Sequence, residues 1–214
     1  MELVIAGLGL FLSAALTATL LQVRFQYNYA KNPIAFISLF LVCIVGSFWF
    51  LNYFPPVFLV VSIGCVAGLY VAGIPLLAKF WKPMQHLCGA ETVPLAYRQG
   101  LIRPGLTEQL VKVTEIALQD MAAWIIVGGL IIVLNSVSFS MFVFAGIVFV
   151  LHIPGLWMFG RVYGMYFLVL STVVAFIVPW LYQIEGLGFV YLYTMHLSGY
   201  VAMYIFMGFL GKRS

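Results

Sequence analysis

Long apolar runs, broken by short polar stretches, follow one another along most of this chain. Crossing about 30 Å of hydrocarbon takes roughly 20 apolar residues. Runs near that length cover 3–21, 34–54, 56–78, 121–137, 139–159, 163–182 and 187–210. None alternates in the way a membrane β-strand does. A continuous apolar run in hydrocarbon must satisfy its own N–H and C=O groups, and a helix does so. The pattern predicts an all-α, polytopic integral membrane bundle of about seven transmembrane helices, a single membrane domain over 1–214. Three helices fill 1–78, a loop with an amphipathic helix occupies 79–120, and a four-helix part fills 121–214. Asn135, Ser136, Val137 and Ser138 predict a tight hairpin between the fourth and fifth spans rather than one very long helix.

Composition agrees. Only 7% of the residues are charged and 64% are apolar, against roughly 25% charged in a soluble domain. The net charge of +4 does not point to nucleic acid, because the basic residues are scattered between apolar runs. They act as topology signals. In a seven-span arrangement Arg24, Lys31, Lys79, Lys82, Arg98, Arg103, Lys112, Arg161, Lys212 and Arg213 all fall on one side. The positive-inside rule makes that side cytoplasmic, so the N-terminus is expected outside and the C-terminus in the cytoplasm. Short loops lean toward a bacterial inner membrane. Met1-Glu2-Leu3 lacks a basic n-region, so no cleavable signal peptide is expected. Cys43, Cys65 and Cys88 form no CxxC pair and suggest neither a disulfide framework nor a zinc site. Trp49, Tyr53, Trp81, Trp157, Tyr163, Trp180 and Tyr182 lie near span ends, where aromatic anchors belong. Gly64 and Gly68 would permit close helix approach.

The segment 79–120 is the one long connection. Pro83, Pro94 and Pro104 with Gly89, Gly100 and Gly105 predict an irregular first half. Thr107 is then expected to cap a helix whose first residue is Glu108. Glu108, Lys112, Glu115 and Gln119 share one face, with Leu110, Val113 and Ala117 on the other. Such a helix is expected to run directly into the fourth span, and to lie at the cytoplasmic interface or dip into the membrane beside its neighbours.

Inside spans, ionisable residues are candidates for function. His152 is placed about two turns from the cytoplasmic end of the fifth span, where Pro154 should kink the helix and free a carbonyl near the imidazole. His196 falls near the middle of the seventh, on a face shared with Tyr193, Tyr200 and Tyr204 that should point into the bundle. The sequence places no acidic or basic residue within a span, which counts against a transporter.

The order of these groups carries further information. An acidic residue opens a helix at Glu115, a histidine follows at Val148-x-x-x-His152, one span intervenes, and His196 comes in the next helix. This order resembles the CAAX protease and bacteriocin-processing (CPBP, Abi) family of intramembrane proteases over about the last half of the chain. That family's pattern is Glu-Glu-x-x-x-Arg, Phe-x-x-x-His and His-x-x-x-Asn or Asp. This chain has Thr114 for the first Glu, Gln119 for Arg, Val148 for Phe and Tyr200 for Asn. The resemblance implies a glutamate-dependent endopeptidase, with a membrane-embedded peptide substrate. Glu115 would be the base activating water, His152 would position it and His196 would stabilise the oxyanion. Gln119, Tyr193 and Tyr200 would be supporting residues. The departures imply that catalysis has degenerated in this chain as readily as that it persists.

Two other readings compete. In one the chain is a non-catalytic subunit or assembly factor of a larger membrane complex, its histidines and tyrosines serving packing. In the other His152 and His196 are axial ligands of a b-type haem. A retinal protein is excluded because the only lysine near the seventh span is Lys212, at its end. A rhomboid-type serine protease fails because no histidine follows Ser198 to act as base.

Overall fold

The computed structural model describes residues 1–50, 54–87 and 102–213. Among them there are helices and turns and no strand. The helices are α1 (Glu2–Arg24), α2 (Pro33–Phe50), α3 (Val57–Ala72), α4 (Ile74–Leu77), α5 (Trp81–Leu87), α6 (Leu106–Leu134), α7 (Val137–His152), α8 (Gly155–Met158), α9 (Arg161–Leu181) and α10 (Gly188–Arg213). Among the described residues five stretches are long and apolar enough to cross a membrane: Glu2–Arg24, Val57–Leu87, Leu106–Leu134, Val137–Met158 and Arg161–Leu181. Pro33–Phe48 is apolar but shorter. The apolar run of α10 is diluted by Tyr191, Tyr193, Thr194, His196, Ser198 and Tyr200. The outer surface carries Leu16, Val42, Val57, Leu69 and Phe142 in exposed positions. Water does not tolerate so much contiguous apolar area, and lipid does.

The largest departure from expectation lies in 79–120. Residues 81–87 are helical, with Pro83 in the first turn, where a missing N–H costs nothing. Cys88, Gly89, Pro94, Arg98 and Gly100 lie outside the described residues, as do Tyr53 and the side chain of Trp49. Thr107 does not cap the following helix. α6 begins at Leu106 with Gly105 as its N-cap and no side-chain cap bond. The carboxylate of Glu108 folds back over Gly105 into the space a Cβ would fill. As expected, the helix runs unbroken into the fourth apolar run. Its polar face is turned inward: Glu108, Gln109 and Lys112 are buried, while Leu106 and Leu110 are exposed.

α6 is the axle of the molecule. It packs against α1, α2, α3, α7, α9 and α10. Of its most apolar stretch 61% is buried, against 17% to 33% in the other four membrane-length stretches. Each of the four apolar clusters takes side chains from it: Val113 and Ile116, Ile126 and Val127, Val111 and Leu118, Met121 and Ile125. α1 approaches it closely because Gly7 has no side chain; a methyl there would sit 2.6 Å from Ile126 Cγ1.

The hairpin at 135–138 forms. Asn135 ends α6 in the left-handed conformation, φ 48°, which asparagine tolerates. Ser136 caps α7, its hydroxyl accepting from the Phe139 N–H. α7 stops at His152 rather than continuing two turns, and Pro154 opens the short α8. Tyr163, expected as an interfacial anchor, is buried and packs on Phe159 and Phe167; Trp157 and Trp180 are exposed. Gly64 and Gly68 mediate no contact within the described chain, since nothing lies within 4 Å of where their Cβ atoms would be.

Candidate functional site

Three polar clusters hang on α6, and they differ in how completely they are satisfied. Nearest its start, Tyr70 donates to Gln109 Oε1 at 2.8 Å, and the Gln109 amide donates to Arg103 O at 2.7 Å and the Tyr204 hydroxyl at 3.2 Å. Tyr204 donates onward to Ile102 O at 2.8 Å. One turn further, the Tyr193 hydroxyl donates to Val113 O at 3.0 Å. These bonds join α3, α6 and α10.

The second cluster surrounds Glu115. Its Oε2 accepts from the Tyr29 hydroxyl and from Lys112 Nζ, both at 2.9 Å, and its Oε1 accepts from Gln119 Nε2 at 3.0 Å. Lys112 and Glu115 are both largely out of solvent. The ammonium also lies 5.3 Å from the centre of the Tyr200 ring, a cation–π geometry. Tyr29 belongs to the α1–α2 connection. Burial, then the Glu115 carboxylate, push its phenol well above the usual value, so it remains a donor at every ordinary pH.

The third cluster is Asp120 with His196. The imidazole Nδ1 lies 2.8 Å from Asp120 Oδ1. Asp120 is 3% exposed, and its other oxygen, Oδ2, is buried with no hydrogen-bond partner. An orphaned buried carboxylate oxygen is costly and calls for an explanation. Other atoms of Asp120 line a cavity of about 140 Å³ walled by α6, α7, α9 and α10, and touched by Phe11 of α1. His152 lines the same cavity. Its Nδ1 lies 2.8 Å from Val148 O, one turn back in its own helix. The carbonyl can only accept, so Nδ1 carries the proton and Nε2 is left uncommitted. That carbonyl differs from the one expected to be freed by Pro154.

Of the residues singled out in the sequence, Gln119, His152, His196 and Tyr200 line this one cavity. Glu115 does not line it; it stands behind Gln119 with both oxygens occupied. Tyr193 does not line it either, being spent on Val113 O. Among the described residues no hydrogen bond engages the Tyr200 hydroxyl.

Asp120 was invisible as a site residue because it reads as the polar edge of the run 121–137. Lys112, Glu115 and Asp120 precede the run 121–137 but share one helix with it, Leu106–Leu134. Lys112 and Asp120 are buried against protein and Glu115 is largely so. Tyr29 and Gln109 left no sequence signal, since each is defined by a partner far away in the chain.

Among the described residues no three His, Cys, Asp or Glu side chains converge as a metal site would require. The cavity is also far below the roughly 300–1,000 Å³ of a typical cofactor pocket, so a haem does not fit between His152 and His196. In comparison with known proteins, the chain matches no family model, no curated protein and no solved structure.

Proposed function

We propose that the chain is a seven-span membrane protein, N-terminus outside and C-terminus cytoplasmic, of a bacterial inner membrane. We propose further that its cavity is an intramembrane hydrolase site. One observation carries the reading: Asp120 is paired with His196 at the wall of a cavity that also takes His152. Asp120 holds His196 with Nδ1 protonated, which leaves Nε2 as a base. Water loses a proton to that Nε2 as its oxygen bonds to the carbonyl carbon of an amide or ester. The π pair moves onto the carbonyl oxygen, where the free Tyr200 hydroxyl supplies a donor. His152 Nε2 accepts the second water proton in a hydrogen bond and so orients the attack. Collapse breaks the C–N or C–O bond, and the proton on His196 passes to the leaving nitrogen or oxygen. The products are a carboxylic acid and an amine or alcohol.

This differs from the roles implied by the CAAX protease resemblance. Glu115 becomes a positioning group, because its oxygens already accept from Tyr29, Lys112 and Gln119. Through Gln119 it holds one wall of the cavity. The resemblance still favours an amide bond as the scissile one.

The test uses purified protein in phosphatidylcholine nanodiscs with a quenched fluorogenic transmembrane peptide and a fluorogenic acyl ester. Cleavage of either, lost in His196→Ala and in His152→Ala, supports the site. Cleavage unchanged in both variants, or absent from the wild type with both probes, overturns it.

A second reading, a non-catalytic subunit of a membrane complex, draws on Gly64 and Gly68 of α3, which face open space. Defined partners co-purifying in mild detergent, and lost in Gly64→Leu, would favour it over the hydrolase.

A further inference from the structure

The cavity is small and most of its wall is apolar. Its volume of about 140 Å³ is close to that of a dry apolar pocket that takes one benzene molecule, about 150 Å³. A second fused ring or a long chain exceeds it. Aromatic side chains supply much of the wall, among them Phe144, Tyr166, Phe167 and Tyr200. Phe167 packs on the His152 imidazole at 5.3 Å and meets the Tyr200 ring edge-on at 5.8 Å. Aromatic rings prefer to meet at such separations, so one further ring extends the same packing.

Along that wall the donors are mostly spent and the acceptors are not. The Ser171 hydroxyl donates to Phe167 O, the Tyr166 hydroxyl to Gly199 O and the Gln119 amide to Glu115 Oε1. His152 and His196 commit their Nδ1–H groups to Val148 O and Asp120 Oδ1. Gln119 Oε1 and the Nε2 atoms of both histidines have no partner among the described residues, and none of the three is buried out of reach. The unpartnered Asp120 Oδ2 is buried out of reach and takes no part. The one donor still free is the Tyr200 hydroxyl. Among the described residues no Lys or Arg lines the cavity, so an anionic ligand finds no counter-charge there. A neutral hydroxyl meets both needs, giving its proton to an imidazole and accepting from Tyr200. On an aromatic ring it is the more acidic, better donor, yet with a pKa of about 10 it stays neutral at ordinary pH.

We infer that the cavity binds an uncharged monocyclic phenol, its ring against Phe167 and Tyr200 and its hydroxyl donating to His152 Nε2. The inference goes beyond the hydrolase reading, because a ring held in this way needs no bond to be cleaved. Its hydroxyl stands where that reading places the attacking water, so the phenol and a hydrolysable substrate exclude one another.

The experiment follows 4-fluorophenol, fluorobenzene and 6-fluoro-2-naphthol by fluorine NMR with the protein in phosphatidylcholine nanodiscs. Protein-free nanodiscs measure partition into lipid. The wild type is expected to bind 4-fluorophenol saturably and to release it to unlabelled phenol. Fluorobenzene, a ring without the donor, should bind about tenfold more weakly, and the two-ring naphthol should not bind saturably. His152→Leu should bring 4-fluorophenol down to the level of fluorobenzene while fluorobenzene itself still binds, which shows that this variant is folded. Ala123→Leu, which fills the cavity from a half-buried position of α6, should weaken both one-ring probes by about tenfold or more. No saturable binding of 4-fluorophenol, equal affinity for fluorobenzene, or equal affinity for the naphthol overturns the inference. The wild-type comparison decides it whether or not a variant folds. Binding in the expected pattern by a protein that cleaves neither the peptide nor the ester overturns the hydrolase reading alone. Cleavage without such binding overturns the ligand class alone.

Discussion

Glu115 and Asp120 are two acidic residues on one helix, five positions apart, and the protein treats them in opposite ways. Around Glu115 every carboxylate oxygen has a donor, from Tyr29, Lys112 or Gln119. Around Asp120 one oxygen is held by His196 and the other has nothing. The first cluster sits where α6 meets the α1–α2 connection, and the second borders the cavity. A fully satisfied buried network rigidifies and specifies packing. An unpartnered oxygen in such a network is held at a cost in stability. The contrast separates a cluster that locks helices together from one that borders the cavity.

Three substitutions would break or sharpen it. The largest expected effect is on turnover. Asp120→Asn should lower hydrolysis by about 10⁴-fold, the loss found when the carboxylate behind a general-base histidine is removed. Its melting temperature should barely change, because an orphaned oxygen is being replaced. A melting temperature that collapses along with turnover would put Asp120 among the structural groups. Next comes Glu115→Ala, which strands a buried Lys112 and should cost about 3 kcal/mol of stability, read by thermal unfolding in detergent. If Glu115→Ala were as stable as wild type but inactive, the two carboxylates would exchange roles. The smallest effect is Tyr193→Phe, which removes one interhelical bond to Val113 O. It should cost about 1 kcal/mol and leave turnover within about twofold, since the Tyr193 hydroxyl is engaged with Val113 O and Tyr193 does not line the cavity.

Much of the architecture was legible in the chain because hydrophobic length is a local property. Apart from α6, which begins well before its apolar run, the runs mark the long helices to within several residues, and the Asn135–Ser136 turn was readable because its asparagine and serine do their work on adjacent backbone. Pro154 likewise ends α7 on its own covalent chemistry. The segment 79–120 was misread for the opposite reason. Its charges resemble a solvated face, and only the packing of α1, α2 and α10 around α6 turns that face into an interior one.

The candidate site shows the same division. His152, His196, Gln119 and Tyr200 stood out individually, since polar groups in apolar runs are rare. Their convergence, the displacement of Glu115 from the cavity and the entry of Asp120 did not. Asp120 and His196 are 76 positions apart, and no local pattern encodes that pairing.

The sequence by itself determined that the chain is helical and apolar enough for a membrane, where its helices begin and turn, and which side chains are too polar for lipid. Tertiary structure alone decided which of those polar groups satisfy one another and which one is left open. Helix formation depends on neighbours in the chain, whereas hydrogen-bond satisfaction inside a bundle depends on which helices come to lie side by side.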